Sequence, residues 1–339
     1  MAWEYRPAQP YFQELSLRWD SLNRASHDHV LLDSRFVGPS LRWLGAEDVL
    51  LGADHDSSCS AMALVKKTGP GVWETFQPSQ APLGLLLVDR SLEPRDALLR
   101  LLSSLPGMAL QLGVLQQDPS YSTFAGLSTD SQVELLEYIQ TPRLPLQGTY
   151  EEYWSSRSGN LRHNISRQLK RLAEKGRNLE LAVRTTPAEM AAAMREYGRL
   201  EGSGWKGREG TAVTEDNAQG RFYRDVLEAF ATTGQARVYE LLLDGNVVAS
   251  DICLAHGSML VVLKTSYDES IPQTSPALLM RQKIISQLYE EKQIQVVEFY
   301  GRVLDWHLKW TDQVRTMFHI NCFRNRIMAE LRGAVKRLA

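Results

Sequence analysis

The sequence predicts an α/β fold, of the α+β kind with mixed sheets, built as two lobes. Short apolar runs of strand length alternate with longer runs in which apolar residues recur every three or four positions. The chain has 339 residues, roughly twice the length of an average domain. The segment Thr141–Gly148 contains two prolines and a glycine, so we predict a linker there.

The first lobe, placed at residues 1–148, is predicted from short apolar runs around one clear helix. Leu92–Leu105 has apolar residues at helical spacing and ends at Pro106-Gly107, a pair that stops helices. The other predicted elements are a helix at Phe12–Arg24, strands at Val49–Gly52, Ala61–Lys66, Gly84–Asp89 and Met108–Leu115, and a helix at Ser131–Tyr138.

The second lobe, placed at residues 149–339, has stronger local signals. Thr149 and Glu152 have the spacing of a capping box, which begins a helix, and Thr186 and Glu189 repeat it. Asp244-Gly245 predicts a β-hairpin, because these residues accept positive φ. The predicted elements are helices at 161–172, 187–200, 217–232, 276–290 and 325–338, and strands at 236–243, 246–254, 259–266 and 296–300.

Composition excludes several classes of protein. The net charge of −2 provides no overall field toward nucleic acid or membrane, so we expect no DNA partner. No apolar run approaches the ~20 residues of a membrane span. The three cysteines, Cys59, Cys253 and Cys322, match no metal-ligand spacing, nor do the seven histidines, so we predict no metal. Sparse cysteines and the lack of a signal-peptide pattern favour a cytoplasmic protein.

Two features of the second lobe suggest anion binding. Ser275 and Pro276 begin a helix, whose free N–H groups and dipole suit a phosphate, although Ser-Pro also begins many helices that bind nothing. A basic run extends from Arg162 to Arg177 and could hold an anionic glycan, a nucleotide-linked donor or RNA, or could be a solvated helix face. Its cations are Arg162, Arg167, Lys170, Arg171, Lys175 and Arg177.

Several segments, in a characteristic order, carry a family resemblance. They are LRHNISRQLKRLAEKG, EGSGWKGREGTAV with its Trp205-Lys206-Gly207 core, the hairpin region ARVYELLLDGNVVASDICLAHGSMLVVLKTSYDES, SPALLM, VEFYGR and LKWT. With these segments, the region from Tyr150 to Phe323 resembles the GNAT acyltransferase superfamily, in the branch that groups CelD-like acetyltransferases with the FemABX aminoacyltransferases. The first half resembles the divergent N-terminal GNAT-like lobe of such proteins.

The resemblance implies that acyl-CoA binds where two parallel strands, Met259–Ser266 and Val296–Tyr300, move apart. The CoA diphosphate would lie over the start of the helix at Ser275. The residues expected to contact CoA are Lys264, Thr265, Ser266, Ser275, Ala277 and Leu278. The sequence departs from the family in two respects: the Gln/Arg-x-x-Gly-x-Gly/Ala loop is missing, and Ala277 replaces the branch's more usual glycine.

Acyl transfer also requires a base, a proton donor and residues that bind the acceptor. The candidate bases are Glu201, Asp251, Asp268 and Glu298, although each could instead be paired with a lysine or arginine. Tyr267 could donate a proton to the leaving thiolate. Trp205, Lys206 and Lys309 are the candidate substrate-binding residues.

We therefore expect an acyl-CoA-dependent N- or O-acyltransferase, with acetyl-CoA as co-substrate and direct transfer to an amine or hydroxyl. The acceptor would be a sugar or polysaccharide precursor or a small metabolite. One alternative is a Fem-type aminoacyltransferase that uses aminoacyl-tRNA, which the unremarkable overall charge disfavours. The other is a GNAT-like scaffold that binds a metabolite or a protein without catalysis. The sequence leaves the oligomeric state open.

Overall fold

The computed structural model describes residues 3–54, 60–271, 274–327 and 329. Elements of the first half are β1 (Trp3–Pro7), α1 (Ala8–Ala25), α2 (Ser34–Trp43), β2 (Leu50–Asp54), β3 (Ala61–Gly69), β4 (Val72–Thr75), β5 (Leu86–Val88), α3 (Pro94–Ser104), β6 (Gln111–Gln117) and β7 (Val133–Pro145). Cys59 and most of the predicted helix at 325–338 lie outside the described residues.

The remaining elements contain the region with the family resemblance. They are α4 (Tyr150–Ser156), α5 (Gly159–Glu174), β8 (Leu179–Arg184), α6 (Pro187–Ser203), α7 (Trp205–Arg208), α8 (Ala218–Ala231), β9 (Ala236–Leu243), β10 (Asn246–His256), β11 (Met259–Tyr267), α9 (Pro276–Glu291), β12 (Val296–Phe299), α10 (Asp305–Leu308) and β13 (Val314–Phe323). The predicted fold class, mixed α/β, is confirmed.

The chain divides into two compact units. The first comprises residues up to Gln140 together with those from Arg315 onward, and the second comprises Thr141–Val314. In the first unit the strand order is β1-β2-β3-β4-β6-β13, with β5 on β3. The pair β4–β6 is parallel and the other pairs with a described register are antiparallel. The predicted boundary after residue 148 stays a prediction.

The second unit is built on the strand order β7-β12-β11-β10-β9-β8. Only β11 and β12 are parallel, and every other neighbouring pair is antiparallel. Alternate residues of β9, such as Tyr239 and Leu241, pack with Leu161 of α5 and Leu279 of α9 in one hydrophobic cluster. Helices α6 and α8 also pack on this sheet. The capping box forms at Thr149, and at Thr186 the Glu189 side chain accepts the backbone N–H and the hydroxyl of Thr186 at 3.0 and 2.8 Å.

Two predicted elements are wrong. The segment Ser131–Tyr138 is mostly the start of strand β7 rather than a helix, and the predicted linker at 141–148 is largely the end of the same strand. Glutamate and leucine favour helices, but pairing with neighbouring strands overrides this local preference. Residues Arg143, Leu144 and Pro145 lie opposite residues 298, 297 and 296 of β12.

Candidate acyl-CoA cleft and active site

Strands β11 and β12 move apart halfway along β11. Their parallel pairing covers only Met259–Val262 and Val296–Phe299, after which β12 ends and β11 continues to Tyr267. On its other side β11 stays paired with β10 as far as Tyr267. A bulge lies at this point, because Val262 and Lys264 face consecutive residues of β10 and Leu263 is extra. The second half of β11 therefore has an edge without a partner strand among the described residues.

A cavity of 610 Å³ opens beside this part of β11. Thr265 and Tyr267 of β11 line one side, and Ser275, Ala277, Leu278 and Arg281 at the start of α9 line another. Trp306 of α10 completes the wall together with Lys309 and Trp310. Asp268 and Glu269, which follow the end of β11, also line the cavity. The volume lies within the range of small-molecule sites, roughly 300–1,000 Å³.

The start of α9 offers fewer free N–H groups than its sequence predicts. The Ser275 side chain makes no capping hydrogen bond, and the backbone N–H of Ser275 donates to Oε1 of Gln168 at 2.7 Å. Pro276 has no N–H. The N–H groups of Leu278 and Leu279 both donate to the carbonyl of Ser275, at 3.0 and 3.1 Å. The helix start alone is therefore a poorer phosphate site than we expected.

Arg281 forms a buried network beneath the cavity. Its Nη1 lies 2.8 Å from Oδ2 of Asp251, and Asp251 also accepts a hydrogen bond from Oγ1 of Thr265 at 2.6 Å. The Arg281 guanidinium lies over the rings of Phe299 and Trp306. Complete burial raises the pKa of Asp251, and the Arg281 charge opposes this rise. Asp251 is thus the partner of Arg281 and does not line the cavity.

Glu201 holds two lysines. Its Oε1 contacts Nζ of Lys206 and lies 3.3 Å from Nζ of Lys264, and its Oε2 accepts the N–H of Val213 at 2.7 Å. Burial tends to raise the pKa of Glu201, but the Lys206 hydrogen bond and the Lys264 charge outweigh it and lower that pKa. Burial lowers the pKa of Lys264, which lies above the ring of Tyr223.

The last two candidate bases differ in their surroundings. Glu298 is fully buried, with Oε1 3.3 Å from Nη2 of Arg143, so it too is paired with an arginine. Asp268 lines the cavity, and its Oδ1 accepts hydrogen bonds from the N–H and hydroxyl of Ser270 at 2.8 and 2.6 Å. Next to it, Tyr267 also lines the cavity and is 44% exposed.

A smaller pocket of 60 Å³ adjoins the same end of β11. Trp205 and Lys206 of α7 line it together with Glu201 and Ser266, and it shares Thr265, Tyr267 and Glu269 with the larger cavity. Trp205 is 49% exposed. The two pockets therefore meet at the residues that follow the β11 bulge.

The structure brings together most of the residues that the sequence singles out. Seven line the larger cavity, namely Thr265, Tyr267, Asp268, Ser275, Ala277, Leu278 and Lys309. Four line only the smaller pocket, namely Glu201, Trp205, Lys206 and Ser266. Three lie in neither, namely Asp251, Lys264 and Glu298. Sequence reasoning missed Arg281 and Trp306, although a charged residue within the apolar run ALLMRQKII was a usable signal for Arg281.

Helix α10 presents two aromatic rings to each other at the cavity wall. The rings of Trp306 and His307 stack at 3.6 Å, and Nδ1 of His307 accepts the N–H of Leu304 at 3.1 Å. Burial, helped by the Arg281 charge, lowers the pKa of His307 to about 4. His307 is therefore neutral at pH 7.

The described residues contain neither a metal-binding cluster nor a membrane-spanning helix. No group of three or more His, Cys, Asp or Glu side chains is arranged to hold a metal ion there. Within the same residues, no helix has both the length and the apolar character needed to cross a bilayer.

The chain is similar to known proteins in part of its sequence and in its fold. Residues 159–307 match the family model of the GNAT acetyltransferase domain. A search of curated protein sequences gives no match. Similar solved structures include the C-terminal DUF2156 domain of an Agrobacterium fabrum protein, with a TM-score of 0.56 and 12% identity, covering 95% of each chain.

Two further structures share the fold with similar TM-scores and sequence identities. L-PGS from Bacillus licheniformis has a TM-score of 0.55 and 12% identity, covering 92% of this chain and 95% of its own. FemX has a TM-score of 0.54 and 13% identity, covering 93% of this chain and 98% of its own. Residues 159–307 of this chain therefore match the GNAT acetyltransferase domain, and the chain shares its fold with FemX along most of its length.

Proposed function

We propose that this protein is an acyl-CoA-dependent acyltransferase that uses acetyl-CoA by preference. The observation that carries the proposal is the 610 Å³ cavity beside the unpaired end of β11. The pantetheine arm of CoA carries two amides, which can hydrogen-bond to an exposed strand edge as a neighbouring strand would. The family match over residues 159–307 supports the same chemistry.

In the proposed reaction an amine or hydroxyl of the acceptor attacks the thioester carbonyl carbon. A new C–N or C–O bond forms, the C–S bond breaks, and the acceptor's proton ends on the CoA sulfur. A backbone N–H near residues 264–266 stabilises the oxyanion. We assign Asp268 as the base, directly or through water, because it alone of the four candidate carboxylates lines the cavity. Tyr267 protonates the leaving thiolate, and the proton that Asp268 took from the acceptor then returns to Tyr267 through solvent.

We propose that the acceptor enters from the smaller pocket. Trp205 and Lys206 lie there, and Lys309 lies in the adjoining cavity, so aromatic and cationic groups flank the reacting centre. Such groups suit a sugar or polysaccharide precursor or a small metabolite that carries an amine or hydroxyl. The described cysteines, Cys253 and Cys322, are free and buried, which supports a reducing compartment such as the cytoplasm.

A second candidate is a Fem-type aminoacyltransferase that takes aminoacyl-tRNA as donor. The observation that favours it is the likeness of fold to FemX along nearly the whole chain. Binding of tRNA that weakens steeply with added salt, without binding of CoA, would support this reading. A scaffold without catalysis would bind neither donor.

Calorimetry with acetyl-CoA and CoA tests the proposal. Wild-type protein should bind both, and Ala277→Trp should abolish binding by filling the cavity at the start of α9. Ala188→Trp is the matched control, because Thr186-Pro187-Ala188 begins α6 in the same way and Ala188 is exposed outside the cavity. Circular dichroism checks that both variants fold. Lack of wild-type binding at millimolar ligand contradicts the proposal.

Turnover tests the assigned base. Asp268→Asn should reduce kcat by about 10²–10⁴-fold while the affinity for CoA stays nearly constant. An unchanged kcat would reassign the proton transfer to another group.

A further inference from the structure

Helix α5 has a polar, cationic flank beside the start of α9. Asn164, Gln168 and Arg171 are spaced by four and three residues, which places them along one line of the helix, and Lys175 follows four residues later as the C-cap. Arg167 lies next to this line. We name these five residues the α5 flank. The apolar residues Leu161, Ile165 and Leu172 lie on the adjacent side and are buried.

Gln168 joins the α5 flank to the wall of the large cavity. Its side chain is 7% exposed, and its Oε1 accepts the backbone N–H of Ser275 at 2.7 Å. Its Nε2 donates to Oδ1 of Asn164 at 3.0 Å, so the amides of the flank are held in place. Because Ser275 lines the cavity, the Gln168 contact places the flank next to the cavity wall at the first turn of α9.

The cations of the flank have no acidic partner in the part of the chain that the structure describes. Among the described residues, Arg167, Arg171 and Lys175 form no ion pair. The nearby carboxylates are used elsewhere, since Glu174 lies 3.9 Å from Lys170 and Asp244 pairs with Arg177. The α5 flank therefore presents three exposed positive charges toward one edge of the helix.

The cavity needs cations at this place if it holds CoA. In CoA the order is thiol, pantetheine, diphosphate and adenosine 3′-phosphate, so the acyl end near Tyr267 sends the phosphates outward past Ser275. The start of α9 has few free N–H groups, and the chain lacks the glycine loop that would supply more. Of the described cations that line the cavity, Arg281 is paired with Asp251 and Lys309 remains, so further positive partners for the phosphates have to come from a neighbouring element.

We propose that the α5 flank binds the 3′-phosphate of CoA through Arg171 and Lys175, with Arg167 beside them. This inference rests on the proposed use of acyl-CoA. Arginine and lysine on a solvated helix face suit a phosphate that carries close to two negative charges.

The experiment compares the affinities of CoA and 3′-dephospho-CoA by calorimetry. Wild-type protein should bind CoA about tenfold more tightly, the size expected for two partly solvated cations. Arg171→Gln/Lys175→Gln should lose most of this preference and leave the affinity for 3′-dephospho-CoA unchanged. The matched control is Arg162→Gln/Lys170→Gln, which removes the same charge from residues lining a separate groove with Trp154. The control should keep the preference.

Each outcome has one reading. If wild type binds both ligands equally, or if Arg171→Gln/Lys175→Gln keeps the tenfold preference, the α5 flank does not bind the 3′-phosphate, while the use of CoA stands. If wild type binds neither ligand, the proposed use of acyl-CoA is contradicted, and the inference that rests on it is wrong as well. If the same variant leaves CoA binding unchanged but weakens salt-sensitive binding of tRNA, the flank serves RNA and the inference is wrong.

Discussion

Arg281 and Asp251 form an ion pair inside the second unit, with Nη1 2.8 Å from Oδ2 and both side chains almost completely buried. The pair lies next to Thr265, just beyond the point where β11 and β12 move apart. Burying a charge costs free energy unless the charge is paired, so each of the two residues compensates the burial of the other. The pair supports the floor of the cavity from which the proposed function is argued.

Asp251→Asn should lower the free energy of unfolding by about 3–5 kcal/mol, because it leaves the Arg281 charge buried without its partner. Replacing both residues by apolar ones, in Asp251→Leu/Arg281→Met, should recover most of that loss. Urea denaturation measures both changes. Arg195→Gln, which breaks an exposed pair with Glu215, is the control and should cost less than about 1 kcal/mol. A loss for Asp251→Asn as small as the control's would show that Arg281 is solvated.

Glu201 should make the protein sensitive to acid. Its pKa is lowered below the ordinary 4.5 in the folded protein, so its ionised form contributes stability that is complete above pH 4.5. This contribution is lost as the pH falls from 4.5 through the lowered pKa. Unfolding midpoints measured across that interval should fall less steeply in Glu201→Gln than in wild type. Glu196→Gln, from an exposed pair with Arg199, should keep the wild-type slope.

His307 should make the stability of the protein depend on pH in a higher range than Glu201 does. Its pKa is about 4 in the folded protein against an ordinary 6.5, so the unfolded chain takes up the proton first. Stability should therefore decrease as the pH falls from 6.5 to about 4, and His307→Gln should reduce this slope. His27, whose pKa burial also lowers to about 4, keeps part of the slope in the variant. Melting temperatures across this range test the prediction, and identical slopes for variant and wild type would contradict it.

The elements that the sequence predicts well are those with local causes. Asp244 and Gly245 adopt φ values of +50° and +82°, as the hairpin turn requires, and the capping threonines begin α4 and α6. Strand β7 is mispredicted because its conformation depends on strand pairing, and at residues 143–145 its partner is β12, some 150 residues away. Strands β8 and β13 were missed for the same reason, since distant partners give no signal in a local pattern.

The same distinction holds in the candidate site. Ser275 and Ala277 follow from the local signature of a helix start, and both line the cavity. The pairing of Asp251 with Arg281 depends on how α9 packs on β10, which no local spacing encodes. The only indication of this pair in the sequence is that each of the two charged residues lies within an apolar run. The glycine-rich segment around the end of α6 likewise does not indicate which of its glycines the packing requires.

Gly207 and Gly202 should respond in opposite ways to alanine. A Cβ at Gly207 would lie 1.8 Å from the backbone oxygen of Gly202, whereas a Cβ at Gly202 meets nothing within 4 Å. Gly207→Ala should therefore cost about 1–3 kcal/mol and displace α7. Gly202→Ala, near the end of α6, should be neutral or stabilising by up to about 1 kcal/mol. Because α7 carries Lys206 to Glu201, Gly207→Ala should also reduce the loss of stability below pH 4.5. Equal unfolding free energies for the two variants would mean that α6 and α7 do not approach so closely in solution.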